Sequence, residues 1–255
     1  MKNIHNIFSV EGKRVLITGA ANGNGKAIAE GFGDAGSELF LLDIDHENLE
    51  IVANDIERET NSKVHRAIVD LRIPEEIDRF LDINDNFDVV INNAGVTHNN
   101  HLIDYKDSDW DATYKVNLYA PYKIMQKVSK NMSQKKSGSI INVTSLGAEL
   151  GFPNNPAYVA FKGALKQLTK AAACDLSPNG IRVNSVGPGY LKTNMTTASW
   201  NDKKLRLERT NKILLGRWGQ PDDLIGIMIF LASDASSYIT GQEFYVDGGW
   251  LAKGL

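Results

Sequence analysis

The 255-residue chain has a single cysteine, Cys174, so no disulfide can close within it. That fits a reducing compartment. It has no excess of positive charge: 28 Lys and Arg stand against 31 Asp and Glu, a formal net charge of −3. Nucleic acids and anionic membranes attract proteins through their own negative charge, so neither is an expected partner. It has no apolar run of the ~18 residues that suggest a membrane-spanning helix. Its opening "MKNIHNIFSVEGKRV" lacks the apolar stretch of a secretory signal. The sequence therefore reads as a cytoplasmic protein with a small-molecule partner.

Linkers rich in Pro, Gly or Ser are also missing, as are internal repeats and low-complexity segments. One domain over residues 1–255 is expected, and 42% hydrophobic residues suffice for a sizeable core. Short apolar runs alternate with longer helical patterns. The runs Arg14–Gly19, Glu38–Asp43, Lys63–Asp70, Asp88–Asn93, Ser139–Ser145, Ile181–Gly189 and Glu243–Gly249 are rich in Val and Ile and bounded by Gly, Asp or Asn, as buried strands are. Helices are expected at Gly25–Asp34, Glu47–Glu59, Pro74–Ile83, Trp110–Gln134, Ala157–Leu176 and Asp222–Leu231. This alternation predicts an α/β fold. About seven strands would form one doubly wound parallel sheet, Rossmann-like, with helices on both faces. Leu191–Leu215 carries no strand signal and follows a strand end, which suggests an irregular loop or lid at about 190–215 over the ligand crevice. Cys174, on a helix among alanines, reads as packed rather than reactive.

The turn "TGAANGNG" (Thr18–Gly25) joins the first strand to the first long helix. Glycines there let backbone approach a pyrophosphate, and the helix N-terminus offers free N–H groups and a positive dipole end. Asp43, closing the second strand, would accept hydrogen bonds from ribose hydroxyls and repel a 2′-phosphate. No Arg or Lys occupies Ala20–Gly23 or Ile44–Asn48. The cofactor expected is NAD. In "NPAYVAFK", Tyr158 and Lys162 stand at i and i+4 on one helix face. A phenol titrates near ~10 in water, and a nearby cation favours its phenolate.

Further stretches extend the pattern: "NNAG" (Asn92–Gly95), Asn117 in "YKVNLYA", Ser145 closing "INVTS", "GPG" (Gly187–Gly189) and a terminal "YVDGGW". In this order and over nearly the whole chain, they resemble the short-chain dehydrogenase/reductase family. The C-terminal third and "GPGYLKTNM" are similar to the family's sugar-acid branch, the gluconate 5-dehydrogenases and 2-dehydro-3-deoxy-gluconate dehydrogenases. The resemblance implies an NAD(H)-dependent oxidoreductase that interconverts a secondary alcohol and a ketone on a sugar acid, sugar or polyol. It implies Tyr158 as general acid/base, Lys162 as its activator, Ser145 as the group holding the substrate oxygen, and Asn117 as part of a proton relay.

For the cofactor the resemblance implies Gly19, Asn22, Gly23, Asn24, Gly25, Asp43, Asp70, Leu71, Asn93, Ala94, Gly95, Pro188, Gly189, Leu191 and Thr193, with Tyr158 and Lys162. For the substrate it implies His98, Ser145, Tyr158 and Tyr190. A homotetramer is implied as well, with Trp250 near a neighbour's pocket.

Departures from the family pattern are Asn24 in the glycine turn, Phe161 before the lysine, and Thr144 before Ser145. The loop after "NNAG" carries Thr97, His98, Asn99 and Asn100 where basic residues would suit a carboxylate, so a neutral polyol stands beside a sugar acid. His98 and His101 lack a carboxylate or cysteine at metal-ligand spacing, and no metal is expected. Two other readings are a 3-oxoacyl thioester reductase, which Asp43 and the net charge disfavour, and a non-catalytic dinucleotide-binding regulator, which has no need of Ser145, Tyr158 and Lys162 together.

Overall fold

The apolar runs become strands because both of their faces find cover. In the computed structural model, which describes residues 4–253, the strands are β1 (Arg14–Thr18), β2 (Glu38–Asp43), β3 (Val64–Ile68), β4 (Val89–Asn92), β5 (Gly138–Val143), β6 (Ile181–Pro188) and β7 (Glu243–Val246). They form one sheet in the order β3-β2-β1-β4-β5-β6-β7, every pair parallel. The helices are α1 (Ile4–Ile7), α2 (Gly23–Asp34), α3 (His46–Glu59), α4 (Pro74–Ile83), α5 (Asp107–Tyr114), α6 (Ala120–Lys135), α7 (Pro156–Leu176), α8 (Thr197–Asn201), α9 (Lys203–Lys212), α10 (Ile225–Ala232) and α11 (Trp250–Lys253).

Alternation along each strand sorts the core into two layers. Val15 and Ile17 of β1, with Leu39 and Leu41 of β2, face α2, α3 and α10 through Ile28, Phe32, Val52 and Met228. Their neighbours Leu16, Phe40 and Leu42 face the other way, toward α4, α6 and α7 through Ile77, Phe80, Ile124 and Ala173. Helices therefore cover both faces, as the run pattern requires.

The structure corrects three local readings. The helix expected at Trp110–Gln134 is interrupted: α5 and α6 are joined by a π-helical turn at Lys115–Tyr119, where the Ala120 N–H reaches back five residues to the Lys115 carbonyl. Pro121 has no N–H to give to residue 117, so the α-helical ladder cannot run through unbroken. Leu191–Leu215 is not irregular. It holds a 3₁₀ turn (Asn194–Thr196), α8 and α9, and the Asp202 side chain caps α9 by accepting from Lys204 and Leu205 N–H at 2.9 and 3.0 Å. Cys174 is exposed on α7, not packed.

Phe161 and Thr144, two of the departures in the sequence, are accounted for by packing. Phe161 is buried against Trp110 and Tyr114, with ring centroids 4.8 and 5.5 Å away, and so ties α7 to α5. The Thr144 hydroxyl donates to the Glu243 carboxylate on β7.

The order of strands reverses between β1 and β4. In open α/β sheets the crevice at that point, beyond the carboxyl ends of the strands, is where ligands bind.

Candidate active site

A cavity of about 710 Å³ opens at that crevice, along the carboxyl ends of β1, β2, β4, β5 and β6. At one end lies the glycine turn. Gly19 adopts φ +68°, and a methyl group there would meet the Ala94 Cα at 2.8 Å. The close approach is held by Asn93, whose side-chain amide donates to the Thr18 and Gly19 carbonyls at 3.0 and 3.1 Å. The Thr18 hydroxyl in turn accepts from the Asn93 and Ala94 N–H groups, each at 3.1 Å. The "TGAANGNG" and "NNAG" stretches are thus one knot.

Gly25 does not line the cavity. A methyl group on it would lie 1.9 Å from the Gly19 carbonyl oxygen, so its role is to let α2 lie against the turn. Asn22, Gly23 and Asn24 do line the cavity, and the Asn24 Oδ1 is buried without a protein partner.

Asp43 lines the same end, and its carboxylate is already engaged. It accepts from the N–H groups of Ala21 (2.9 Å), Ile44 (2.7 Å) and Asp45 (3.0 Å), pinning the end of β2 to the glycine turn. Asp70 and Leu71 lie beside it. Arg72, which sequence reasoning missed, also lines the cavity, and its guanidinium makes a bidentate pair with the Asp70 carboxylate. The Arg72 hydrogen bonds hold the Asp70 carboxyl below the usual carboxylate range. The arginine that closes "IVDLR", two residues after Asp70, was the signal that could have found this cation.

The middle of the cavity gathers Ser145, Tyr158 and Lys162 from β5 and α7. Pro156 at the first turn of α7 sets the helix start, with a φ already suited to it. Lys162 is 3% exposed, and its Nζ donates to the Val143 carbonyl at 2.6 Å. It sits 5.8 Å from the centroid of the Tyr158 ring. Burial lowers Lys162 to about 8, and the Glu243 charge partly opposes that. Tyr158 shows part of its ring to the cavity but lies deep among protein atoms. Burial raises its phenol, against a pull downward from the Ser145 hydroxyl. The net direction is therefore opposite to the lowering that a lysine neighbour alone would give, because desolvation is the larger effect. Ser145 Oγ also accepts from Gly147 N–H at 3.1 Å, which fixes the short turn after β5.

Asn117 lies in the π-helical turn, fully buried and outside the cavity lining. Its amide accepts from Val96 N–H at 2.8 Å and donates to Val96 carbonyl at 2.9 Å. It pins the segment that leaves "NNAG" beside the lysine.

The remaining end is walled by His98, Asn155, Tyr190 and the segment after Gly189. Pro188, Gly189, Leu191 and Thr193 all face the cavity, and Thr193 stands over Gly23, 3.4 Å from where a methyl on that glycine would lie. His98 lines the cavity, whereas His101 caps the 3₁₀ turn at Leu102–Asp104. Tyr190 stacks on Trp250 of its own chain, with centroids 5.0 Å apart at 26°. Sequence reasoning missed Ser199 and Arg209, which α8 and α9 bring to the cavity.

The family model described as enoyl-(acyl carrier protein) reductase matches residues 19–251. A 5-keto-D-gluconate 5-reductase of Escherichia coli K12 is 34% identical over 97% of this chain and 99% of its own length. A 3-oxoacyl-(acyl-carrier-protein) reductase of Thermotoga maritima is 37% identical over 94% and 98%. The crystal structure of a gluconate 5-dehydrogenase from Burkholderia cenocepacia, in complex with NADP and tartrate, superposes with a TM-score of 0.92. It shows 33% identity over 98% of this chain and 99% of that one. The chain belongs to the short-chain dehydrogenase/reductase family. As a short-chain dehydrogenase/reductase it is an oxidoreductase that interconverts an alcohol and a ketone with a nicotinamide dinucleotide.

The residues present fit such a dinucleotide. The short-chain dehydrogenase/reductase cavity offers a backbone cradle at Gly19–Gly23, the N-terminus of α2, and the unpartnered Asn24 Oδ1.

Proposed function

We propose that this chain interconverts a secondary hydroxyl and a ketone on a sugar acid, sugar or polyol, with NAD(H) as its cofactor. The observation that carries the reading is the convergence of Ser145, Tyr158 and Lys162 in one cavity whose far wall carries the polar side chains of His98, Asn155 and Ser199 among apolar ones. The nicotinamide supplies the hydride chemistry. Ser145 holds the reacting oxygen, and Tyr158 gives or takes its proton. Lys162, anchored by Val143, keeps a positive charge beside the phenol and steadies the phenolate that forms during oxidation. Asn117 acts through position, by fixing Val96 and the floor next to Lys162.

NAD is favoured over NADP because Asp43 places a negative charge at the adenosine end, and the nearby cation, Arg72, is committed to Asp70. The solved relative from Burkholderia cenocepacia carries NADP, so the NAD reading rests on this chain's own Asp43 and Arg72 and not on that relative.

Leu191–Leu215 acts as the lid: seven of its side chains line the cavity, and Thr193 sits on the glycine turn. Assembly into a homotetramer is supported by the half-open aromatics Trp110, Tyr114 and Tyr122 along α5 and α6. Light scattering at the mass of one chain would sink that part.

The thioester reading is favoured by the Thermotoga maritima relative but opposed by the charge of Asp43 and the negative net charge. The test is a screen of NAD reduction across polyols, aldoses and sugar acids, with reduction of a 3-oxoacyl thioester alongside. Turnover of the thioester alone would overturn the proposal.

A further inference from the structure

Three cationic side chains line the cavity: Arg72, Lys162 and Arg209. Two are committed. Arg72 is paired with the Asp70 carboxylate, and Lys162 donates to the Val143 carbonyl. Arg209 has no ion pair and no hydrogen-bond acceptor among the described residues, and its Nη1 is buried with no partner. A buried guanidinium N–H left unpaired is costly, and proteins rarely keep one without use. The two acids that line the cavity, Asp43 and Asp70, lie at the adenosine end, so no carboxylate lines the far end beside Arg209.

The side chain is held in place from two sides. Its guanidinium carbon lies 4.4 Å above the centroid of Tyr190, which is itself packed between Trp218 and Trp250 at 5.1 and 5.0 Å. The next residue, Thr210, accepts a hydrogen bond from Trp218 Nε1 at 3.1 Å, fixing α9 against the same cluster. Tyr190 in turn is near enough to Tyr158 to act on it electrostatically. Three other cations of the lid lie on aromatic faces away from the lining, Lys192 and Arg206 over Trp200 and Lys212 over Trp250, and neither Lys203 nor Lys204 lines the cavity.

Resting on the reading of the site as a sugar-acid or polyol dehydrogenase, we propose that Arg209 recognises a carboxylate at the end of the substrate remote from the reacting carbon. An open-chain sugar acid would lie with its hydroxyl at Ser145 and Tyr158 and its carboxylate on the planar fork of Arg209, the geometry that guanidinium matches bidentately. The basic residues that the loop after "NNAG" lacks are thus replaced by one from the lid. Because the charge comes from α9, a carboxylate also draws the lid toward the cavity.

Equilibrium dialysis of the NAD-saturated protein against D-gluconate and against D-glucitol, its neutral counterpart, tests the assignment. We expect Arg209→Gln to weaken gluconate binding ~10- to 100-fold, the scale of a charge-assisted pair, while leaving glucitol and NAD binding unchanged. Arg209→Lys, which keeps the charge but not the fork, should recover part of the loss. Gluconate affinity within twofold of the parent in Arg209→Gln would overturn the proposal, as would equal losses for both probes or a matching loss of NAD affinity. A parent protein that binds glucitol but not gluconate would overturn it and leave the polyol reading standing. Binding of neither would sink both.

Discussion

Lys162 Nζ donates to the carbonyl of Val143 at 2.6 Å, not to the phenol of Tyr158. The ammonium is thus fixed by the backbone of β5, and in the proposed reaction it would serve the tyrosine through its charge. Its ability to do so depends on remaining protonated in a buried place. Burial lowers Lys162 to about 8, and the negative charge of Glu243 works the other way.

The pH dependence follows from that balance. In the proposed reaction, ketone reduction needs Tyr158 as a proton donor and Lys162 as a cation. The cation is present below about 8 and is lost as pH rises through that value. The kcat/KM for reduction should therefore fall on the alkaline side with an apparent pKa near there, a value that belongs to the coupled pair. Glu243 also accepts hydrogen bonds from Thr144 and Ser185. Glu243→Gln keeps an acceptor oxygen for one of those hydroxyls, offers an amide donor to the other, and removes the charge that raises Lys162. The alkaline limb should then move to lower pH. A limb that stays where it is would show that Glu243 has no electrostatic hold on the pair.

Tyr158→Phe removes only the hydroxyl and keeps the ring that packs at the cavity. Turnover should drop by at least ~100-fold, the lower end for a positioned proton donor. Dinucleotide affinity, measured by quenching of protein fluorescence, should change little. If activity stays within severalfold of the parent, the proton passes through another group.

Gly25→Ala tests the packing of the turn. The added methyl would fall 1.9 Å from the Gly19 carbonyl oxygen and 2.6 Å from the Asn93 amide nitrogen. Both are parts of the knot between the glycine turn and "NNAG", and backbone cannot give way without moving α2. The expected result is a lower melting temperature together with weakened dinucleotide binding. Gly151→Ala, where nothing lies within 4 Å of the added methyl, serves as the control. Equal behaviour of the two variants would contradict the close-packing account.

Much of this was legible in the sequence because the signals are local. A strand buried on both faces writes itself as an apolar run, and all seven runs became strands, in a sheet of the expected parallel kind. Ser145, Tyr158 and Lys162 stood out by spacing on adjoining elements. What stayed hidden depends on contacts distant in the chain. Arg209 sits in a helix of low hydrophobicity, and nothing in "KKLRLERTNK" distinguishes the one cation that turns inward from the four other basic residues around it. Its direction is set by Tyr190 and Trp218, elsewhere in the chain. The π-helical turn at Asn117 was hidden for a similar reason: Pro121 disrupts the ladder, but the turn is settled by the Asn117 bonds to Val96. Cys174 misled because alanine neighbours suggest packing, whereas its own face of α7 points to solvent.

Asp43 has two tasks that a single substitution separates. Its carboxylate accepts three backbone N–H groups, from Ala21, Ile44 and Asp45, and it brings a negative charge to the adenosine end of the cavity. Asp43→Asn keeps the shape and one acceptor oxygen but presents an amide donor to N–H groups that need acceptors. Stability should fall by about 1–3 kcal/mol, the cost of leaving buried or half-buried donors unpaired. Loss of the charge should independently narrow the preference for NAD over NADP, read as the ratio of the two kcat/KM values. Because the ratio is taken within one protein, a general loss of folded enzyme cancels from it. A parent ratio that already favours NADP, or a ratio that the substitution leaves untouched, would remove Asp43 from cofactor selection and leave it only the task of tying β2 to the glycine turn.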